Sequence, residues 1–300
     1  MGSSFQRIGF VGTGRIATAL SLAMREAGCS VAAVVSRSPE SARRLADRLP
    51  GCEALPNPED ITDKCDIVFL TVPDDAVASV AGTLTWRAGQ AAVHCSGALT
   101  LGVLDAARGG GASVGGLHPL QTFVGNDMDA GSLAGTTFAV QGDGTLRDWL
   151  EGVVESLGGS SVDIGDHDRP LYHAAAVMSC GYLATMLDAA CDLWGSMGFS
   201  REEALRALLP LARGTLSNVE SQSTRGGATG PIIRGDVETV RLHLETLAQQ
   251  APHVLPLYCQ AGLAMVSLTS LPADRAGELK ELLIAHMEPV EESVGRLDRS

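Results

Sequence analysis

Lysine is almost absent: the 300 residues hold two, Lys64 and Lys280. Chemistry that runs through a lysine amine has little to draw on. Positive charge in general is short, with 22 Lys and Arg against 35 Asp and Glu, a formal net charge of -13 and a pI near 4.9. Such a surface repels a phosphate backbone, and no basic run offsets it locally, so nucleic acid is not an expected partner. Long apolar runs are missing as well. Those such as Ile67 to Val72 are strand-sized, well short of the roughly 20 residues of a membrane span, so no membrane partner is expected. The seven cysteines are odd in number, scattered, and form no C-x-x-C pair, which predicts reduced thiols in a cytoplasm. No metal is expected. "FQRIGFVGTG" moves straight into a strand and a glycine turn, unlike a signal peptide. "MGSS" is not followed by the Ser or Thr at position 6 of a myristoylation signal. There is no internal repeat and no low-complexity linker.

What is present is a hydrophobic content of 45%, ample for a buried core. From residue 7 to 165, short β-branched runs ("RIGFVG", "SVAAVVS", "DIVFLTV", "AAVHCS", "SVGGLH", "TFAVQG", "SVDIG") alternate with Ala-rich helical stretches. The alternation predicts an α/β fold, with a parallel sheet covered by helices. From Asp166 the strand signals stop and helices follow, one of them opened by the capping box "SREE" at Ser200 to Glu203 and the last running through Arg296. The chain therefore reads as a dinucleotide-binding domain over 1–165 and an all-helical domain over 166–300.

"RIGFVGTGRIATAL" places Gly12-x-Gly14-x-x-Ala17 directly after a strand and at the start of a helix. Gly12 permits the tight turn, Gly14 lets the backbone approach a pyrophosphate, and Ala17 lets helix and strand pack closely. The backbone from Thr13 through Arg15 and Ile16 then presents N–H groups to the phosphates. About 20 residues on, an NAD site needs an acidic side chain for the ribose. The sequence offers Ser36, Arg37 and Ser38 instead. That set suits a 2'-phosphate, because Arg37 can pair with it through two hydrogen bonds, so the expected cofactor is NADP(H). Val72-Pro73 ends the strand "DIVFLTV" with a fixed, apolar face on which a ribose or ring can rest; it also serves as a plain strand terminator.

Hydride transfer to a carbonyl or imine carbon needs an acid for the heteroatom and a group that orients the substrate. With lysine scarce, histidine is the candidate. His94 reads as a buried or sheet-end residue. His118, held extended by Pro119 at a strand end, is a cleft candidate. His173 shares one face of its helix with Val177, Cys180 and Ala184 and is the second candidate. Ser96, with Gly97, follows a strand end, where a hydroxyl and free N–H groups could hold a carboxylate or cap a helix. Gly230-Pro231 breaks the chain and Asp236 caps the next helix, which leaves Arg234 as a forked donor for a substrate anion. The apolar face of Leu255 to Leu268 predicts a homodimer.

"FVGTGRIATAL", "HCSGAL", "LHPLQTF", "LYHAAAVMSCGYL" and "TGPIIRGDVETVRLHL" together resemble the bacterial Rossmann-like oxidoreductases that carry domain of unknown function 2520. These are similar to 6-phosphogluconate dehydrogenase, pyrroline-5-carboxylate reductase and ketopantoate reductase. The resemblance implies NADPH-linked reduction of a small, carboxylate-bearing substrate such as a ketopantoate-like 2-oxo acid. Alternatives are an imine- or opine-type reductase and a non-catalytic NADP-binding sensor. Two positions depart from the family: Arg169 stands where relatives tend to have Lys, and Gly181 where they tend to have Asn. In the expected reaction Ser96 and Arg234 orient the anion, and His118 or His173 supplies the proton.

Overall fold

A computed structural model describes residues 5–123 and 133–287. The expected continuation of the last helix to Arg296 falls, beyond Met287, outside these residues. The described chain divides into two compact units, Met1–Cys180 and Gly181–Ser300. The helix over 169–179 thus counts with the sheet and not with the helices that follow it.

In the first unit the elements run β1 (Arg7–Val11), α1 (Arg15–Glu26), β2 (Ser30–Val35), α2 (Pro39–Ala46), β3 (Glu53–Leu55), α3 (Ile61–Lys64) and β4 (Ile67–Leu70). Next come α4 (Asp74–Thr83), β5 (Ala91–His94), α5 (Asp105–Gly109), β6 (Ser113–Pro119), β7 (Thr137–Gly142), α6 (Gly144–Ser156), β8 (Ser160–Val162) and α7 (Arg169–Ser179). The eight strands form one sheet in the order β3-β2-β1-β4-β5-β6-β7-β8. Strand alternation sends Ile8 and Phe10 into one core, with α1, α2 and α6, and Val11, Val68 and Leu70 into the other, with α3 to α5. Both faces are covered, which is why the strands read as continuous apolar runs.

The sequence leads one to expect a parallel sheet from seven strand runs, and the sheet is parallel at every pairing but one; two details were not expected. β3 is three residues long and only one of them is buried, too weak a pattern to read. β7 runs antiparallel to β6, with Pro119 opposite Phe138 and His118 opposite Ala139. The two strands meet where one ends and the next begins, a pairing that needs no crossover helix.

The second unit contains α8 (Gly181–Ser196), α9 (Arg201–Gly227), α10 (Pro231–Arg234), α11 (Val237–Gln250), α12 (Leu255–Val266) and α13 (Ala273–Ala285). Ser200 caps α9 as its sequence requires: its Oγ accepts from Glu203 N at 3.3 Å, and Glu203 Oε2 accepts from Ser200 N at 2.9 Å. Cys259 and Val266 of α12 are buried with Val240, Leu244, Leu279 and Leu283. The side of α12 that carries Cys259 and Val266 is thus covered within its own chain, while Leu257, Ala261 and Leu268 of the stretch expected to drive dimerisation are only partly covered. Apolar exposure lies elsewhere, at Tyr182 and Met186 of α8 and at Leu211 and Leu216 of α9. Arg169–Ser196, taken as one stretch of 28 residues, contains an 18-residue window of mean hydropathy 1.4, enough by length and composition alone to cross a membrane.

Candidate functional site

Strands β1, β2, β4, β5 and β6 all end on one edge of the sheet, and the strand order reverses direction between β1 and β4. Ligands of open α/β sheets bind outside the carboxyl ends at such a switch point. A cleft of 680 Å³ lies there, lined by Gly12, Thr13, Gly14, Ser36, Arg37, Ser38, Val72 and Pro73. These are eight of the eleven residues that the sequence suggests for a dinucleotide.

The loop's backbone explains its glycines. Gly12 has φ +98°, and a Cβ there would sit 2.6 Å from Thr71 O. Gly14 is the N-cap of α1 with no side-chain cap, and a Cβ built on it meets nothing within 4 Å. The bare helix N-terminus thus faces open space, a cradle suited to a phosphate. Ala17 is wholly buried, as close packing of helix and sheet demands, while Ile16 is partly covered. Arg15 is exposed and donates from Nη1 to Phe123 O at 3.3 Å. Ser38 caps α2 by accepting from Ser41 N at 3.2 Å. Arg37 is exposed and makes no ion pair with any described residue. Residues not anticipated here include Ser41 of α2, Asp75 and Thr83 of α4, and Pro58 of the turn between β3 and α3, none of which carries a local signal.

A chain of contacts leads away from the cleft. Ser96 Oγ donates to Asp74 Oδ2 at 2.6 Å and accepts from Ala98 N and Leu99 N, each at 3.1 Å. The hydroxyl is committed to its own turn as acceptor and to Asp74 of α4 as donor. Gly97 then packs against two imidazoles: a Cβ there would lie 2.9 Å from His118 Nε2 and 3.0 Å from His173 Cδ2. The two rings are 6.4 Å apart, nearly perpendicular. They line a second pocket of 480 Å³ with Gln121, Thr122, Tyr172, Ser179 and Cys180. His118 Nδ1 and Tyr172 Oη are 2.7 Å apart. Tyr172 is the main residue that sequence reasoning missed, because it sits beside His173 in the chain and only the fold turns it towards β6.

Arg169 lies behind this pocket and is fully buried. Its Nε donates to Gln141 Oε1 at 2.8 Å and its Nη1 to Ser96 O at 3.1 Å. Where relatives tend to have Lys, this chain has a structural tether between α7 and the end of β5. His94 is also fully buried, its Nδ1 accepting from Ser96 N at 3.3 Å. Burial, then the Arg169 charge, push its pKa down to about 4. His118 is pushed down to about 4 as well, by burial and then by His173 and Arg169, with Asp74 opposing. Both imidazoles are neutral near pH 7. Burial raises the Tyr172 phenol, with Arg169 opposing.

Arg234 belongs to the second unit, where it is exposed at the end of α10. Gly235 follows in the left-handed region at φ +73°, and Asp236 caps α11 by accepting from Thr239 N at 3.1 Å. Among the described residues, no group of three or more His, Cys, Asp or Glu is placed to hold a metal.

Sheet order, glycine loop and cleft define a doubly wound fold of the dinucleotide-binding type. Residues 3–119 match the Rossmann-like domain and residues 136–265 match domain of unknown function 2520, so the chain joins these two domains. The second match begins at the threshold of β7, within the first compact unit. Among solved structures, a provisionally assigned NADP oxidoreductase from Bacteroides fragilis is 24% identical, with a TM-score of 0.71, covering 87% of this chain and 98% of its own. A Thermotoga maritima protein is 23% identical, with a TM-score of 0.67 and the same coverage of 87% and 98%. Pyrroline carboxylate reductase from Plasmodium falciparum, solved with NADP bound, is 16% identical, with a TM-score of 0.59, covering 94% of this chain and 99% of its own. At these identities the likeness is one of fold. No curated protein matches the sequence.

Proposed function

We propose that the protein is an NADP-dependent reductase that acts on a C=O or C=N carbon of a small, carboxylate-bearing molecule. One observation carries the reading: the phosphate-loop cleft leads through Asp74, Ser96 and Gly97 to a pocket with three proton-exchanging side chains, His118, Tyr172 and His173. When bound, the dinucleotide supplies hydride. Gly12, Thr13 and Gly14, with the first turn of α1 at Arg15, Ile16 and Ala17, would hold its pyrophosphate. Ser36, Arg37 and Ser38 would hold a 2'-phosphate, and Val72-Pro73 would support the ribose.

Ser96, Arg169 and Arg234, none of which lines that pocket, have supporting tasks. Ser96 fixes the turn that carries Gly97, and Arg169 locks that turn from behind through the Ser96 carbonyl. For the substrate carboxylate the forked donor would be Arg234, which belongs to the second unit and has no ion pair among the described residues. A ketopantoate-like 2-oxo acid is the favoured substrate. A cyclic imine is the second reading, favoured by the fold shared with a pyrroline carboxylate reductase. The seven free cysteines fit a reducing, cytoplasmic setting.

A homodimer is the expected assembly, through the exposed apolar residues of α8 and α9. Leaving these in water is unfavourable. A membrane is a poor occupant for the 169–196 stretch, because Arg169 at its head is tied to Ser96 and Gln141 of the sheet. The test of the activity is NADPH absorbance against a panel of 2-oxo acids, β-keto acids and cyclic imines. Turnover with one of them supports the reading. NADPH binding without turnover anywhere in the panel replaces it with a nucleotide sensor.

A further inference from the structure

We propose that Tyr172 hands the proton to the substrate's heteroatom and that His118 is its positioning partner. The proposal rests on the reductase reading above. The phenol oxygen lies 2.7 Å from His118 Nδ1, and the rings stand edge to face at 85° with centroids 5.5 Å apart. Both side chains line the 480 Å³ pocket. Neither is free to drift: Gly97 abuts His118 Nε2, and Arg169, one helical turn before Tyr172, anchors α7 to Ser96 O and Gln141 Oε1.

His118 alone is a poor acid. With its pKa pushed down to about 4, only about one imidazole in a thousand carries a second proton at pH 7. Its Nδ1 is moreover engaged with the phenol. Tyr172 is a neutral O–H donor at the same pH, and the buried Arg169 cation favours the phenolate left after donation.

The step balances as follows. Hydride reaches the substrate carbon with two electrons, and the π pair of the C=O or C=N bond moves to the heteroatom. That atom takes the proton from Tyr172 Oη. His118 Nδ1–H keeps its hydrogen bond to the phenolate, which then takes one proton from water, so both side chains return to their starting state. The substrate is reduced, the dinucleotide is oxidised and one proton is consumed.

The test uses the full chain as parent, Tyr172→Phe, His118→Ala, His118→Asn and His173→Ala. Tyr172→Phe is expected to lose about 100- to 10,000-fold in kcat, the usual contribution of a general acid. Its KM and its NADPH affinity by calorimetry should stay within about twofold. His118→Asn, whose side-chain N–H stands near the former Nδ1–H, should recover part of the kcat lost in His118→Ala, which a purely structural role would not produce. Tyr172→Phe with near-parental kcat, or a large loss in His173→Ala alone, overturns the assignment. Ultraviolet titration of the ligand-free protein gives a readout without substrate. The phenol signal lost in Tyr172→Phe should titrate above the ordinary tyrosine range in the parent and move in His118→Ala; an unmoved signal refutes the pair. A parent that turns over none of the panel refutes the reductase reading, and the titration then decides the pair by itself.

Discussion

His94 makes acid sensitivity a quantitative property of this fold. Its ring is fully buried, and among the described residues neither His94 Nε2 nor Arg169 Nη2 has a hydrogen-bond partner. Both atoms lie near the same point, 3.3 Å and 3.0 Å from where Gly116 would carry a Cβ. A proton added to His94 would therefore be buried beside a cation. The folded pKa is about 4 against 6.5 for the free side chain, so the unfolded chain binds the proton first. This contribution to stability is complete above pH 6.5 and is lost as pH falls towards 4. Linkage puts the loss at about 2 kcal/mol between pH 7.5 and pH 5, and at about 3 kcal/mol once the pH is below 4. His118 acts in the same direction. The depressed Asp66 carboxyl, held low by its hydrogen bond from Arg7, acts only at lower pH. The assay is urea unfolding at pH 7.5 and pH 5 for the parent and for His94→Gln, with the His94 imidazole followed by NMR. The variant should lose about 2 kcal/mol less than the parent across that interval. An equal loss in both proteins, or a His94 ring that titrates near pH 6.5, would refute the reasoning.

Three further outcomes follow from the site and the surface. NADPH should bind tighter than NADH, and Arg37→Asp should reverse the order, because it exchanges the partner of a 2'-phosphate for a partner of the ribose hydroxyls; equal affinities in the parent by calorimetry contradict this. Arg234→Lys keeps the charge but loses the fork, so apparent substrate affinity should fall about tenfold, or about 1.4 kcal/mol, with NADPH affinity unchanged. Joint loss of NADPH binding and thermal stability would make Arg234 structural. Light scattering should give a dimer at micromolar concentration and a monomer for Leu211→Glu with Leu216→Glu; a monomeric parent rules out the assembly.

The first β-strand, the Gly12-x-Gly14 turn, the Ser36-Arg37-Ser38 end of β2 and the Ser200 cap were legible from the residues alone. Each depends on neighbours within a few positions: a φ of +98° calls for glycine, an N-cap calls for a hydroxyl, and two covered sheet faces call for unbroken apolar runs. The antiparallel step at β7 was not legible, since both strand directions bury the same alternating side chains and the choice falls to the pairing of Pro119 with Phe138. Nor was the covered face of α12 distinguishable from the exposed ones of α8 and α9, as apolar residues look alike until a partner is in place. The same holds for the pocket. Ser96 reads as a ligand donor until Asp74, Ala98 and Leu99 occupy it, Arg169 reads as a substitution for lysine until burial turns it into a tether, and Tyr172 has no signal at all. Its partner His118 is 54 residues away in the chain, and a 2.7 Å contact across that separation exists only after α7 has packed on the end of β6.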